Sequence, residues 1–101
     1  MNWIEPWRAI KDEGMDLVSE LKIEVSVQHV LFNRHAVAIA CRCDCDDVLF
    51  RLDDGSCAVV HLTWSGKREQ DPGFPSTTIH NTLEDFVRDI MLPDAEEYGY
   101  M

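Results

Sequence analysis

The sequence predicts an α+β domain in which helices cover a small antiparallel sheet. Apolar residues recur at helical spacing near both ends of the chain. The middle of the chain contains short runs rich in β-branched and aromatic residues, and polar turns separate these runs. Because 101 residues suffice for one hydrophobic core and not for two, we expect a single domain over residues 1–101.

One or two helices are predicted before the sheet. Residues 3–11 carry two tryptophans and an isoleucine near helical spacing and precede Gly14, which indicates a short first helix. Residues 15–25 carry an apolar stripe at positions i, i+3, i+4 and i+7, which predicts a second helix. The polar residues between the stripe positions, among them Glu20, are expected to face solvent.

Three to four strands are predicted in the middle of the chain. The first three cover residues 36–42, 47–52 and 57–64, and the short polar segments between them are typical of antiparallel hairpins. Residues 77–80 are expected to add a brief edge strand. An open edge at 36–42 or 77–80 would also allow pairing with a second copy of the chain, so a homodimer is one expected assembly.

A C-terminal helix closes the predicted fold. Asn81 and Glu84 have the spacing of a capping box, an apolar stripe follows, and Pro93 is expected to stop the helix. We expect this helix and the N-terminal helices to pack on one face of the sheet, and residues 94–101 to form a frayed acidic tail.

The charge of the chain limits its partners. With 19 acidic and 9 basic residues the formal net charge is -10, which disfavours nucleic acid and anionic membrane surfaces and favours a basic protein or peptide. The first residues do not have the pattern of a secretory signal, and no stretch approaches the roughly 18 apolar residues of a membrane helix. We therefore expect a cytoplasmic protein with reduced thiols.

Four cysteines and one histidine are candidate metal ligands because thiolates and imidazoles are the usual ligands of zinc. The alternating spacing of the cysteines differs from the C-x₂₋₄-C turns of structural zinc sites. The competing interpretation is that Cys41 continues the face of Val37 and Ile39 into the core, whereas two others sit in a turn. No cofactor is expected on that interpretation, and zinc is the alternative. The candidate ligands are Cys41, Cys43, Cys45, Cys57 and His61.

No residue is assigned a catalytic role from the sequence. Cys57 and His61 are four residues apart on one predicted strand, or roughly 13 Å, which is too far for a nucleophile and its base. His61 would have to meet a cysteine across the hairpin, or a nearby aspartate. The five aspartates between residues 44 and 54 lack the register of a calcium loop and are interpreted as solvated turns.

The long loop after the third strand is the candidate partner-binding site. Two prolines and two glycines exclude a regular element from residues 65–76. Trp64 and Phe74 are of the type found at interface hot spots, and Lys67 and Arg68 would form part of a polar rim. In the alternative interpretation, the two aromatic side chains pin the loop to the core.

The block AVVHLTWSG at residues 58–66, with the proline-containing loop and the helix that begins near Leu83, resembles a small uncharacterised bacterial protein family. The resemblance covers about residues 15–92. It implies a bacterial source and the α+β layout, and it assigns no site. In size, acidity and build the chain is also loosely similar to immunity proteins that neutralise basic toxins.

Three functional hypotheses follow, in order of preference. The first is a non-enzymatic protein-interaction module, immunity-like, whose acidic surface attracts a basic partner and whose loop at residues 64–75 binds it together with the C-terminal helix. The second is a metal-binding or thiol-redox protein centred on the cysteines. The third is a small hydrolase or isomerase that uses His61 and an aspartate.

Overall fold

The computed structural model describes residues 2–99, and it confirms the α+β class. None of the helices in that range has the length and apolar character needed to cross a membrane. The elements are β1 (Trp7–Ala9), α1 (Gly14–Glu24), β2 (Ala36–Arg42), β3 (Asp47–Leu52), β4 (Cys57–His61), β5 (Ser76–His80), α2 (Leu83–Phe86), a π-helical segment (Val87–Met91) and α3 (Leu92–Tyr98).

The sheet is an antiparallel meander whose strands lie side by side in chain order, from β1 to β5. The three central strands and the predicted edge strand are confirmed. The described residues form five strands, however, where three to four were predicted. Because β1 pairs with β2, residues 36–42 are not an open edge, and β1 and β5 form the two edges.

The predicted first helix over residues 3–11 is wrong, because β1 forms there and pairs Trp7 with Arg42. Trp7 is almost fully buried, and its ring packs edge-to-face on Phe86 with 5.0 Å between the ring centroids. Its indole N–H donates a hydrogen bond of 2.9 Å to the carboxylate of Asp94. The burial of a large aromatic ring and the strand pairing outweigh a weak helical periodicity.

Helices cover both faces of the sheet, so the prediction that they pack on one face is wrong. On one face, α1 packs Leu17 and Leu21 against Phe50 and other strand residues. On the opposite face, the C-terminal helical segments contribute Phe86 to a second cluster, and Leu49 of β3 belongs to this cluster. The sheet needs two covers because β3 carries apolar residues in succession, which point alternately to both faces.

A β-bulge in β2 decides which way the first cysteine points. The register with β3 shifts between Ala38 and Ala40. As a result Cys41 joins the cluster under α1, whereas Ile39 packs in the opposite cluster and Val37 is exposed. Cys41 is buried, as the sequence indicated. The prediction that it shares a face with Val37 and Ile39 is wrong, because an extra residue in one strand inverts the alternation of side chains between the two faces of the sheet.

The C-terminal helix is confirmed, but it starts and ends differently from the prediction. Thr82 is the N-cap and accepts a hydrogen bond of 3.1 Å from the backbone N–H of Asp85, so the expected Asn81–Glu84 box does not form the cap. The helix continues past Pro93, which occupies the first turn of α3, where its missing N–H is tolerated. The predicted frayed tail is therefore helical as far as Tyr98, and residues 100–101 lie outside the described residues.

Candidate functional site

The loop between β4 and β5 is fastened to α1 by two buried glutamates. The Glu24 carboxylate, which is fully buried, accepts hydrogen bonds from the backbone N–H groups of Thr63 at 3.0 Å and Trp64 at 2.9 Å. Glu20 accepts another from the N–H of Gly66 at 3.1 Å. Glu20 was predicted to face solvent, and that prediction is wrong because the loop folds over this face of α1 and buries it.

The two glutamates also affect each other. Burial raises the pKa of Glu24 above its ordinary value, and a hydrogen bond with Glu20 raises it further. The amide hydrogen bonds from Thr63 and Trp64 lower the pKa but do not cancel the effect. The contact between α1 and the loop therefore depends on the protonation of Glu24.

Further polar contacts hold the middle and the end of the loop. The N–H of Glu69 donates to the backbone carbonyl of Glu24 at 2.9 Å. Buried His29 accepts a hydrogen bond from the N–H of Leu31 on Nδ1, and its Nε2 donates to the carbonyl of Pro75 at 2.9 Å. The backbone of the loop is thus anchored at its start, in its middle and at its end.

The structure places all four predicted partner-binding residues at the surface. Trp64 is 48% exposed and Phe74 is 50% exposed, and Lys67 and Arg68 are exposed beside them. Polar groups hold the loop in place, so the two aromatic rings keep about half of their surface in contact with solvent. Trp64 has a backbone φ of 56°, an unfavourable value for a bulky residue, which the hydrogen bonds to Glu24 hold in place.

Trp64 lies at the rim of a surface groove of about 530 Å³ that sequence reasoning did not find. The groove lies between α1 and the turn that joins β2 to β3, and its apolar part includes Leu17, Ile23 and Trp64. Five carboxylates and two arginines line it. Arg8 pairs with Glu13 at 2.7 Å and Arg42 with Asp44 at 2.8 Å, so the groove carries an excess of negative charge. The acidic lining residues are Glu13, Asp16, Glu20, Asp46 and Asp47.

The structure separates most of the candidate metal ligands. Cys41 and Cys57 are buried in the two clusters on opposite faces of the sheet, so they do not share a site. Cys43 is exposed, and its sulfur lies 3.8 Å from the hydroxyl of Tyr98. All four cysteines are free thiols.

Cys45 and His61 do lie together, and Asp47 completes the group. Donor atoms of these three residues all lie within 4.8 Å of one another. His61 Nδ1 is 2.6 Å from Asp47 Oδ1. The cysteine that lies near His61 is Cys45, in the turn before β3. Asp47 was interpreted as part of a solvated turn, although its position opposite His61 follows from the two strands that the sequence itself predicted.

Three of the four thiols have raised pKa values. Burial raises the pKa of Cys41 and of Cys57, and partial desolvation raises the pKa of Cys45, which is exposed at the surface. A thiol with a raised pKa is protonated near neutral pH, and the protonated form is a poor nucleophile. These three thiols are therefore weaker nucleophiles near neutral pH than an ordinary cysteine.

Comparisons of the chain with protein-family models, with curated proteins and with solved structures found no match.

Proposed function

We propose that this protein is a non-enzymatic interaction module that binds a basic segment of a partner protein in the groove between α1 and Trp64. The observation that carries the proposal is the half-exposed Trp64, whose backbone the buried Glu24 fixes beside an acidic groove. Three properties of the molecule support it, namely its rigidity, its charge and the chemistry of its thiols.

The first property is rigidity. Association costs less when the binding surface is already ordered, because fewer side chains and loop residues lose freedom on binding. The anchors at Glu24, Glu20 and His29 fix the backbone on either side of the exposed rings. Trp64 and Phe74 are therefore presented in a defined geometry, as hot-spot residues require.

The second property is charge. The arginines at the groove are paired with Glu13 and Asp44, whereas Asp16 and Asp46 are exposed. An entering lysine or arginine side chain would meet these carboxylates, and the face of Trp64 offers a cation–π contact. The net charge of -10 would also accelerate the encounter with a basic partner.

The third property is the chemistry of the thiols. Because burial raises the pKa of Cys41 and partial desolvation raises the pKa of Cys45, the cysteines that line the groove are weak nucleophiles, which favours binding over catalysis. We further propose that the protein acts in the bacterial cytoplasm and that its binding mode is immunity-like, with the acidic groove neutralising a basic protein.

The test is a selection from a random peptide library on the immobilised protein, followed by affinity measurements on the enriched peptides. We expect the enriched peptides to be rich in lysine and arginine, to bind more weakly as salt is added, and to lose about tenfold or more in affinity with Trp64→Ala. Val37→Ala is the matched control, because Val37 is also about half exposed but lies on β2 outside the groove. Enrichment of neutral or acidic peptides, or equal loss with both variants, would refute the proposal.

A further inference from the structure

Three different ligand types meet at one end of the β3–β4 hairpin. This end lies next to the turn that joins β2 and β3. Asp47 and His61 are direct partners across β3 and β4, so their side chains lie on the same face. Cys45 precedes Asp47 by two residues, and its sulfur lies within 4.8 Å of donor atoms of the other two. The group thus combines one thiol, one imidazole and one carboxylate.

The distances suit one small metal ion after modest side-chain movement. Zinc binds sulfur at about 2.3 Å and nitrogen or oxygen at about 2.0 to 2.2 Å, so ligand atoms in a tetrahedral site lie about 3.3 to 3.6 Å apart. His61 Nδ1 and Asp47 Oδ1 are closer than this, at 2.6 Å, and the separations to Cys45 are at most 4.8 Å. A shift of about 1 Å in each pair would satisfy the zinc geometry.

The surroundings allow this movement and favour a cation. The His61 side chain is 54% exposed and Cys45 is exposed, so both can change rotamer without disturbing the core. The neighbouring turn carries Asp44 and Asp46, and the nearby Arg42 is already paired with Asp44 and with Asp94. The local field is therefore negative around the three donor atoms.

We propose that Cys45, Asp47 and His61 form a zinc-binding site, with water as the fourth ligand. When the ion binds, the Cys45 thiol releases its proton to solvent and the sulfur–zinc bond forms, with no change in oxidation state. Two buried cysteines, Cys41 and Cys57, take no part. Zinc binding does not depend on the proposed peptide partner, although Cys45 and Asp47 also line the groove.

The experiment is a competition titration of the reduced, metal-free protein with zinc and a chromophoric chelator, in the absence of peptide. We expect one zinc ion per chain. Cys45→Ser and His61→Ala should each weaken binding by about 100-fold or more, because loss of an outer-shell partner alone costs about 10- to 100-fold. Asp47→Asn should weaken it by about tenfold or more.

Each variant has a matched control in the same chain. Cys43→Ser removes an exposed thiol two residues away, His35→Ala removes an exposed imidazole, and Asp12→Asn removes an exposed carboxylate outside the site. These controls should bind zinc as the unchanged protein does. Circular dichroism of each metal-free variant verifies its fold, and Co²⁺ bound to the unchanged protein should show sulfur-to-metal charge-transfer absorption.

Several results would overturn the proposal. One is a titration without saturable binding. Another is a Cys43→Ser variant that weakens zinc binding as much as Cys45→Ser does, which would show that Cys45 is not the specific thiol ligand. A cobalt complex without the sulfur charge-transfer band would likewise show that Cys45 is not a ligand.

Discussion

Replacing Glu24 tests two properties of its buried carboxyl group, which accepts hydrogen bonds from the loop and has a pKa that is raised by burial and by a hydrogen bond with Glu20. Glu24→Ala removes the acceptor of the Thr63 and Trp64 amides. At roughly 1 kcal/mol for each lost hydrogen bond, the free energy of unfolding should fall by about 2 kcal/mol, out of a total of about 5 to 15 kcal/mol for a typical domain. Glu24→Gln retains one carbonyl oxygen as an acceptor and should lose about 1 kcal/mol.

The dependence of stability on pH gives the sharper test. The native pKa of Glu24 is raised above the ordinary value of 4.5, so the native state binds a proton that the unfolded chain has already released. The stabilisation from this group is complete below the ordinary value and is lost as the pH rises through the raised native pKa. Glu24→Gln has no proton to release, so it should lack this loss.

Urea unfolding at a series of pH values measures the effect. The difference in unfolding free energy between the unchanged protein and Glu24→Gln should move in favour of the variant as the pH rises above 4.5. Glu96→Gln, on the exposed side of α3, is the control for the loss of one negative charge. Parallel pH profiles for the unchanged protein and Glu24→Gln would refute the reasoning that Glu24 keeps its proton in the native state.

Two further predictions concern the packing around the site. Phe86→Ala should lower the free energy of unfolding by about 3 to 5 kcal/mol, because the fully buried ring packs edge-to-face on Trp7 and Trp3. Urea unfolding measures this loss, and a change below about 1 kcal/mol would contradict the prediction. His29→Ala should cost about 2 kcal/mol and accelerate amide hydrogen exchange at Leu31, because two buried hydrogen bonds are lost. His35→Ala, at an exposed position, is its control, and unchanged exchange at Leu31 would count against the anchoring role of His29.

The elements that the sequence predicted well are those whose local pattern agrees with their tertiary environment. Helix α1 and strands β2, β3 and β4 have a clear period and clear turns, so they were predicted to within a few residues. β1 was missed because its three residues are fixed by the burial of Trp7 and by pairing with distant β2. The extension of the C-terminal helix past Pro93 was missed because Pro93 lies in the first turn of α3, directly after a π-helical segment that has no sequence signal of its own.

The candidate site likewise has features that the sequence predicted and features that it did not. The loop from Trp64 to Phe74 was predicted from its composition, which is a local property. The anchors at Glu20 and Glu24 were not, because a glutamate on a helix has the same pattern whether it faces solvent or a folded loop. The place of Asp47 in the Cys45 group required the strand register, which adjacent turns fix and composition does not.

The hydrogen bond from Trp7 to Asp94 also has a consequence for the order of folding. The two residues are 87 positions apart, so the second residue of this pair is synthesised long after the first. Until α2 and α3 form, the tryptophan lacks both the Phe86 ring that covers it and its hydrogen-bond acceptor, Asp94. Contacts between such distant positions slow folding, because a long segment must be ordered before they form. Trp7 of β1 therefore gains its full cover only when α2 and α3 are in place.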